Sequence, residues 1–205
     1  MRVIHEFKVA PRISFYSSLT EAKSVKDFLF LDFRCVTMKN TTRKIAIASM
    51  LAALVCVATM IIKIPSPLKG YINLGDCVVL LSGWLLPPGY SFLTAGIGSA
   101  LADVFSGYAV YAPVTFAIKG LMAVVAYFCR KILKDKAGNL PALLIGGITA
   151  EILMVAGYYI FEGFMYGFGA SVVNIPPNAV QGAAGLIFGI ALIKIFEKNK
   201  ILSNK

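Results

Sequence analysis

One apolar stretch, residues 71–120, constrains the fold more than any other part of the chain. It is rich in hydrophobic and small residues, yet it contains three ionisable side chains, Asp76, Asp103 and Lys119. Placing a charged side chain in hydrocarbon costs about 2.5–3.5 kcal/mol on insertion scales, so charges in such a segment need partners or a function. The stretch therefore predicts a helical membrane bundle that encloses a polar site.

The composition also indicates a membrane protein. The 205 residues are 58% hydrophobic and 15% charged, whereas soluble domains are about 45–50% apolar and about 25% charged. The net charge of +10 comes from basic residues that cluster in short segments between apolar runs, which is a signal of membrane topology. We therefore expect membrane lipid, and no nucleic acid, among the partners.

Six apolar segments predict six transmembrane helices, at about 44–62, 74–86, 90–105, 112–133, 142–161 and 178–196. The second is short for a crossing of about 20 residues, so it must tilt or have its ends sheltered by protein. Loops are predicted at 63–73, 106–111, 130–141 and 162–177, with a tight turn at Pro87-Pro88-Gly89. The sequence thus predicts an all-α integral membrane protein with one transmembrane domain over residues 38–205.

Residues 1–37 differ from the rest of the chain. Their apolar residues are interrupted by charges, so they lack the continuous core of a signal peptide. From Met38 onward the sequence is typical of the start of an inner-membrane protein. We expect 1–37 to be a non-native or disordered N-terminal extension; the alternative is an amphipathic segment that lies on the membrane surface.

The distribution of basic residues predicts the orientation. Two lysines, Lys63 and Lys69, fall on one side of the predicted bundle. Eleven fall on the other: Lys39, Arg43, Lys44, Arg130, Lys131, Lys134, Lys136, Lys194, Lys198, Lys200 and Lys205. Because the more basic side of a membrane protein faces the cytoplasm, both termini should be cytoplasmic, in a bacterial cell membrane.

This topology brings a polar and aromatic set towards the outer third of the bundle. Its members are Asn73, Asp76, Asp103, Tyr108, Tyr111, Phe116, Lys119, Glu151, Tyr158, Asn178 and Gln181. Convergent polar groups in an apolar surround are typical of a small-molecule site.

Several of these residues also have a purely structural interpretation. Asp103 and Lys119 could form a buried ion pair between the third and fourth helices, and Asp76 and Asn178 could cap helix N-termini. Glu151 has no basic residue within one turn, so it is protonated, paired with Lys119 or facing a ligand. A further aromatic residue, Trp84, is interpreted as part of an interfacial aromatic belt.

Catalytic motifs do not emerge from the sequence. It contains no HExxH, GxSxG or P-loop motif and no paired-aspartate metal motif. Four cysteines without a CxxC pair and a single histidine offer no zinc site. We therefore expect no enzyme activity, no metal and no cofactor, and any use of ATP must come from another polypeptide.

Several motifs together carry a family resemblance: Ala48-x-x-x-Ala52, then YINLGD, PPGY, GIGSALADVFSGY, YAPVTFAIKGLM and NAVQG. From residue 38 to about 200 the chain resembles the substrate-binding S-component of an energy-coupling factor (ECF) vitamin transporter. It is most similar to the branch for hydroxymethylpyrimidine- or pyridoxine-like rings.

The resemblance implies a partnership and a set of site residues. S-components bind a vitamin at the outer face and associate with a transmembrane coupling protein and two ATP-binding cassette ATPases. The family's docking face maps to Ala48 and Ala52, and its first outer loop, a lid, maps to 63–73. Ligand contacts map to Tyr111, Phe116, Lys119, Glu151, Tyr158, Asn178 and Gln181, with Asn73, Asp76 and Asp103 as secondary polar candidates.

Other functions remain open at this point. A stand-alone ion-coupled permease would use Asp103 or Glu151 as its proton site. In a structural membrane subunit, the polar residues would be internal ion pairs and no ligand would bind. A membrane-embedded enzyme would need a nucleophile or metal constellation that the sequence does not display.

Overall fold

A computed structural model describes residues 41–66 and 71–198, so the predicted extension at 1–37 lies outside the described residues. The described part forms six helices of at least eleven residues and one small hairpin. The helices are α1 (Thr41–Ile61), α2 (Gly75–Leu85), α3 (Pro88–Phe105), α4 (Ala112–Ala137), α5 (Asn139–Tyr166) and α6 (Ile175–Lys198). The strands are β1 (Ile64–Pro65) and β2 (Tyr71–Ile72); a one-turn helix, Phe168–Ser171, and a 3-10 turn, Val172–Asn174, connect α5 to α6.

Helix α2 lies at the centre of the bundle. It packs against each of the other five helices, and ten of its eleven residues are buried. At 1.5 Å per residue it is about 16 Å long, roughly half the thickness of the hydrocarbon core. The surrounding helices therefore shelter its ends, which is one of the two arrangements that its length predicted.

Glycine permits the closest approach of α2 to a neighbour. A Cβ atom built on Gly83 would lie 2.4 Å from the backbone oxygen of Ala123 in α4. Any larger residue would force the two helices apart, because the obstructing atom belongs to the backbone. Helices α1 and α3 meet in the same way, with a Cβ at Gly98 only 2.5 Å from the oxygen of Ala52.

Four stretches of the described chain are long and apolar enough to cross a membrane: α1, α4, α5 and the run Phe168–Lys198 that contains α6. Large hydrophobic side chains face outwards from them; Ile152 is 64% exposed and Ile187 is 67% exposed. The all-α membrane architecture predicted from the sequence is confirmed at this level, while six crossings stay a prediction.

Two predicted loops are largely helical. The segment 130–141 continues α4 to Ala137, and only Gly138, with a positive φ of 87°, separates it from α5. The prediction of a loop was wrong because the Lys- and Leu-rich sequence has good helix propensity, which outweighs its charge.

The segment 162–177 also differs from its prediction as a loop. Helix α5 extends to Tyr166, and Gly167, with a φ of 92°, ends it. Helix α6 begins at Ile175, so Pro176 and Pro177 occupy its first turn, where a backbone N–H has no intrahelical acceptor to lose. Proline here begins a helix and does not extend a loop.

The segment 63–73 contains an antiparallel hairpin that the sequence did not predict. Ile64 pairs with Ile72, and Pro65 pairs with Tyr71. A short pairing of this kind directs the side chain of Tyr71 towards the end of α3.

Trp84 is in the protein core and not in an aromatic belt. It is 4% exposed, and its ring lies 3.5 Å from the Cβ position built on Gly147 in α5 and 3.4 Å from that on Gly189 in α6. The prediction failed because α2 is enclosed by protein along its length, so its inner end does not reach the lipid headgroups.

Candidate functional site

A polar cavity of about 40 Å³ lies at the end of the bundle where α3 and α5 finish and α4 and α6 begin. All twelve side chains that line it carry a polar group: Ser66, Tyr71, Asn73, Asp103, Tyr108, Tyr111, Thr115, Tyr158, Glu162, Asn174, Asn178 and Gln181. The hairpin region, the α3–α4 loop and four helices contribute to this lining. The cavity thus collects polar residues from chain segments that are distant in sequence.

A buried network forms the floor of the cavity. Lys119 of α4 donates to Oδ1 of Asp76 in α2 and forms an ion pair with it. The amide Nε2 of Gln181 donates to Oδ2 of the same carboxylate at 2.7 Å. Gln181 Oε1 accepts from the backbone N–H of Asn73 at 2.9 Å and from its side-chain amide at 3.2 Å. The floor therefore joins three helices and the segment before α2 through groups that satisfy one another.

This network corrects two predictions. Lys119 pairs with Asp76 and not with Asp103, because α2 lies between the other helices and presents its first turn to α4. Asp76 does not cap α2 either, since its carboxylate is engaged by Lys119 and Gln181; the N–H of Gly75 donates to the Asn73 side chain at 2.8 Å.

Asn178 is not an N-cap. It is the fourth residue of α6, because that helix begins at Ile175. Its side chain lines the cavity together with that of Gln181, three residues further along the same helix.

The hairpin is held to the end of α3 at the rim of the cavity. The hydroxyl of Tyr71 donates to Oδ1 of Asp103 at 2.6 Å, and Nζ of Lys63 donates to Ser106 at 2.5 Å. Burial, followed by the nearby Asp103 carboxylate, raises the pKa of Tyr71 above its ordinary value. The hydroxyl therefore keeps its proton at neutral pH and continues to donate a hydrogen bond to Asp103.

The wall formed by α5 contains groups that the sequence did not single out. Asn174 donates from Nδ2 to Oε1 of Glu162 at 2.8 Å, and the hydroxyls of Thr115 and Tyr158 lie 3.1 Å apart. Glu162 and Asn174 were missed because their segment was predicted as a loop. A signal was available: Tyr158 and Glu162 are four residues apart, which places both on one face of a continuous helix.

The structure brings seven of the predicted residues to the lining: Asn73, Asp103, Tyr108, Tyr111, Tyr158, Asn178 and Gln181. Asp76 and Lys119 lie directly beneath them in the floor network. Their roles in binding stay predictions.

Two predicted contacts lie away from the cavity. Phe116 packs edge-to-face on Phe92 at 5.4 Å between ring centroids and lies against Gly96 of α3. Glu151 is buried against Gly182 and Gly185 of α6, at the base of an apolar groove between α5 and α6. Neither carboxylate oxygen of Glu151 has a hydrogen-bond partner among the described residues. Of the three alternatives for Glu151, the pairing with Lys119 does not form, since Lys119 pairs with Asp76.

A second, apolar groove of about 580 Å³ runs between α1 and α3 on the outside of the bundle. Ala48 and Ala52 line it, with Ser49 and Ala53 beside them on the same helix. Small side chains keep the groove open, because they leave room for another helix to approach.

These features define a multi-pass helical membrane protein with a polar cavity at one end. The chain matches the family "ECF-type riboflavin transporter, S component" over residues 39–198. The solved structure described as "Structure and mechanism of the S component of a bacterial ECF transporter" has the same fold, with a TM-score of 0.64 and 24% identity. That match covers 78% of this chain and 98% of the other.

Two relatives are similar in sequence. A protein of Pyrococcus woesei, described as an uncharacterized protein in gap 3'region, is 36% identical over 145 residues, which is 70% of this chain and 95% of the relative. The thiamine precursor transporter HmpT of Lactococcus lactis subsp. cremoris (strain MG1363) is 23% identical over 140 residues, 68% of this chain and 78% of the relative.

The chain therefore belongs to the S-component family of ECF transporters, which confirms the resemblance found in its motifs. It is a substrate-binding subunit of a vitamin transporter and a multi-pass protein of the cell membrane. S-components work with a coupling protein and ATPases in the transporter complex.

Proposed function

We propose that this S-component captures a small heteroaromatic vitamin or vitamin precursor in the polar cavity, at the outer face of the membrane. The observation that carries the proposal is the cavity lining, in which four tyrosines, three asparagines and a glutamine converge from distant segments. Tyrosine rings stack on planar ligands, and amides donate to and accept from ring nitrogens and hydroxyl groups.

The proposed orientation has six crossings and cytoplasmic termini. Helix α4 starts beside the cavity at Tyr111 and ends in a basic turn with Lys134 and Lys136. At that basic end, Arg130 donates to the backbone oxygen of Trp84 at 2.5 Å and pairs with Glu197 of α6 at 3.1 Å. The basic end would face the cytoplasm and the cavity would face outside.

Cavity size favours a single-ring ligand of the hydroxymethylpyrimidine or pyridoxine type. The cavity has a volume of about 40 Å³, whereas ligand sites usually enclose about 300–1,000 Å³. Any vitamin therefore requires the lining to move outwards, and a one-ring compound requires the smallest movement. The name of the Lactococcus relative, a thiamine precursor transporter, points to the same size class.

The hairpin would act as the lid of the cavity. In the described part of the hairpin, two hydrogen bonds attach it to the end of α3, from Tyr71 to Asp103 and from Lys63 to Ser106. Breaking and remaking two rim hydrogen bonds is a modest cost, about 0.5–1.5 kcal/mol for each neutral bond and more for a charged one. The lid could thus open and close without unfolding the floor beneath it.

The apolar groove between α1 and α3 would receive the coupling protein. Ala48 and Ala52 face this groove, where their small side chains permit close helix contact. Two partner ATPases would supply ATP hydrolysis, and the S-component would have no catalytic activity of its own.

Two measurements test this function. Native mass spectrometry of the detergent-purified protein should detect a copurified heteroaromatic compound. Uptake of that compound into vesicles should require the coupling protein and active ATPases. Uptake by the S-component alone, driven by a proton gradient, would instead support the permease. Absence of any bound or binding compound would support a structural subunit.

A further inference from the structure

We propose that the cavity selects a ligand with a positively charged amino group and discriminates against anionic compounds. This inference rests on the proposed function, because it concerns the ligand of the same cavity. It goes further because it names the charge of the substrate and the two carboxylates that recognise this charge, Asp103 and Glu162.

The cavity wall is acidic. Asp103 and Glu162 line it, and the twelve lining residues include no lysine, arginine or histidine. Among the described residues, the two lysines near the cavity have other partners: Lys119 pairs with Asp76 in the floor, and Lys63 donates to Ser106 outside the lining. Within that part of the chain, an anionic ligand would therefore meet two carboxylates and no unpaired cation.

One carboxylate oxygen of Glu162 has no hydrogen bond of ordinary geometry. The residue is 2% exposed, and Oε1 accepts from Asn174. The Tyr111 hydroxyl in the same wall interacts with the carboxylate, but no described residue donates to Oε2 in good geometry. A buried carboxylate oxygen without a donor is costly. A ligand ammonium group has three donors and would satisfy it.

The rim supplies aromatic faces. The rings of Tyr71 and Tyr108 are 5.1 Å apart between centroids and tilted by 50°. Tyr108 and Tyr111 are 6.4 Å apart and edge-to-face. Rings set at different angles around a small space attract a cation through their quadrupoles. Lys63 already lies 5.6 Å from the Tyr71 centroid, which shows that a cation is accommodated at this rim.

Carboxylates and tyrosine faces together form an environment that stabilises a cation. A neutral alcohol can also donate a charge-assisted hydrogen bond to these oxygens, but it carries no positive charge to attract them. Because an ammonium group adds this charge–charge attraction, we expect a preference for the amine of about tenfold or more.

Isothermal titration with three pyridine derivatives of one ring skeleton tests the charge preference. Pyridoxamine, pyridoxine and 4-pyridoxic acid carry an aminomethyl, a hydroxymethyl and a carboxylate group at the same ring position. At neutral pH the expected order of affinity is amine, then alcohol, then carboxylate. Glu162→Gln keeps the acceptor for Asn174 but removes one of the two charges, so it should reduce the preference for the amine over the alcohol severalfold.

Asp135→Asn is the matched control. Asp135 is an exposed carboxylate on the basic end of α4, so its removal should leave all three affinities unchanged. If the wild-type protein binds pyridoxine or 4-pyridoxic acid as tightly as pyridoxamine, or more tightly, the charge inference is overturned and the proposed function stands. The charge inference also fails if another vitamin binds and none of the three does. No binding of any vitamin would overturn both proposals.

Discussion

The ion pair beneath the cavity allows a quantitative test of the floor network. Asp76 is fully buried and Lys119 is 3% exposed, and the two pair directly. Lys119→Met removes the cation but keeps a long apolar side chain. The Asp76 carboxylate would then remain in the core with the Gln181 amide, at 2.7 Å, as its side-chain donor.

Removing one partner of a buried pair costs about 3–5 kcal/mol, because it leaves an uncompensated charge. For a chain of this size, 1 kcal/mol shifts the melting temperature by about 2–4 °C. Lys119→Met should therefore lower the melting temperature by about 6–20 °C, read from thermal unfolding of the detergent-purified protein.

The double variant Asp76→Asn with Lys119→Met decides whether the charge is the cause. Asparagine keeps an acceptor for the Gln181 amide and removes the unpaired charge, so the double variant should be more stable than Lys119→Met alone. Lys134→Met, an exposed lysine on the same helix, is the control and should have little effect. A double variant no more stable than the single one would refute the reasoning.

Three further perturbations test the packing, the lid and the docking groove. Gly83→Val should prevent folding, because its Cβ would lie 2.4 Å from the α4 backbone. The readout is loss of the monodisperse peak in size-exclusion chromatography. Gly89→Ala is the control and should be harmless, since a Cβ at Gly89 meets nothing within 4 Å. Tyr71→Phe removes the hydrogen bond to Asp103, so ligand dissociation measured by stopped flow should accelerate by about threefold to tenfold; an unchanged rate would argue against a lid held at that bond. Ala52→Trp should fill the α1–α3 groove and abolish copurification with the coupling protein while ligand affinity is kept; intact copurification would exclude this groove as the docking face.

The sequence identified the helices because lipid-facing and core segments both require long apolar runs. It also showed that the second segment was too short to cross alone. It failed at 130–141 and 162–177, where charge and proline were taken as loop signals. Helix propensity and the tolerance of a first turn for proline decided those segments.

Many of the residues that line the cavity could be predicted from the order and direction of the helices. Tyr111, Tyr158, Asn178 and Gln181 were predicted at one end of the bundle and line the same cavity. The partner of Lys119 was not predictable in this way, because the pairing depends on which helix occupies the centre.

The site residues that the sequence analysis missed lie in segments whose secondary structure it did not predict. Glu162 and Asn174 lie in segments whose helical structure the sequence analysis did not predict, and Tyr71 is positioned by a hairpin of only two residues per strand. Phe116 and Glu151 were predicted from the depth of their positions along the helices and from the resemblance, but their helix faces turn them towards α3 and α6 respectively.

The central claim is that the polar cavity holds the vitamin, and one measurement tests it directly. The copurified ligand would be titrated calorimetrically into wild type, Asn178→Ala and Asn139→Ala. Asn178 lines the cavity, while Asn139 donates to Glu197 at the opposite end of the bundle. The account predicts an affinity loss of about tenfold or more for Asn178→Ala alone. Equal affinities for all three proteins would contradict it.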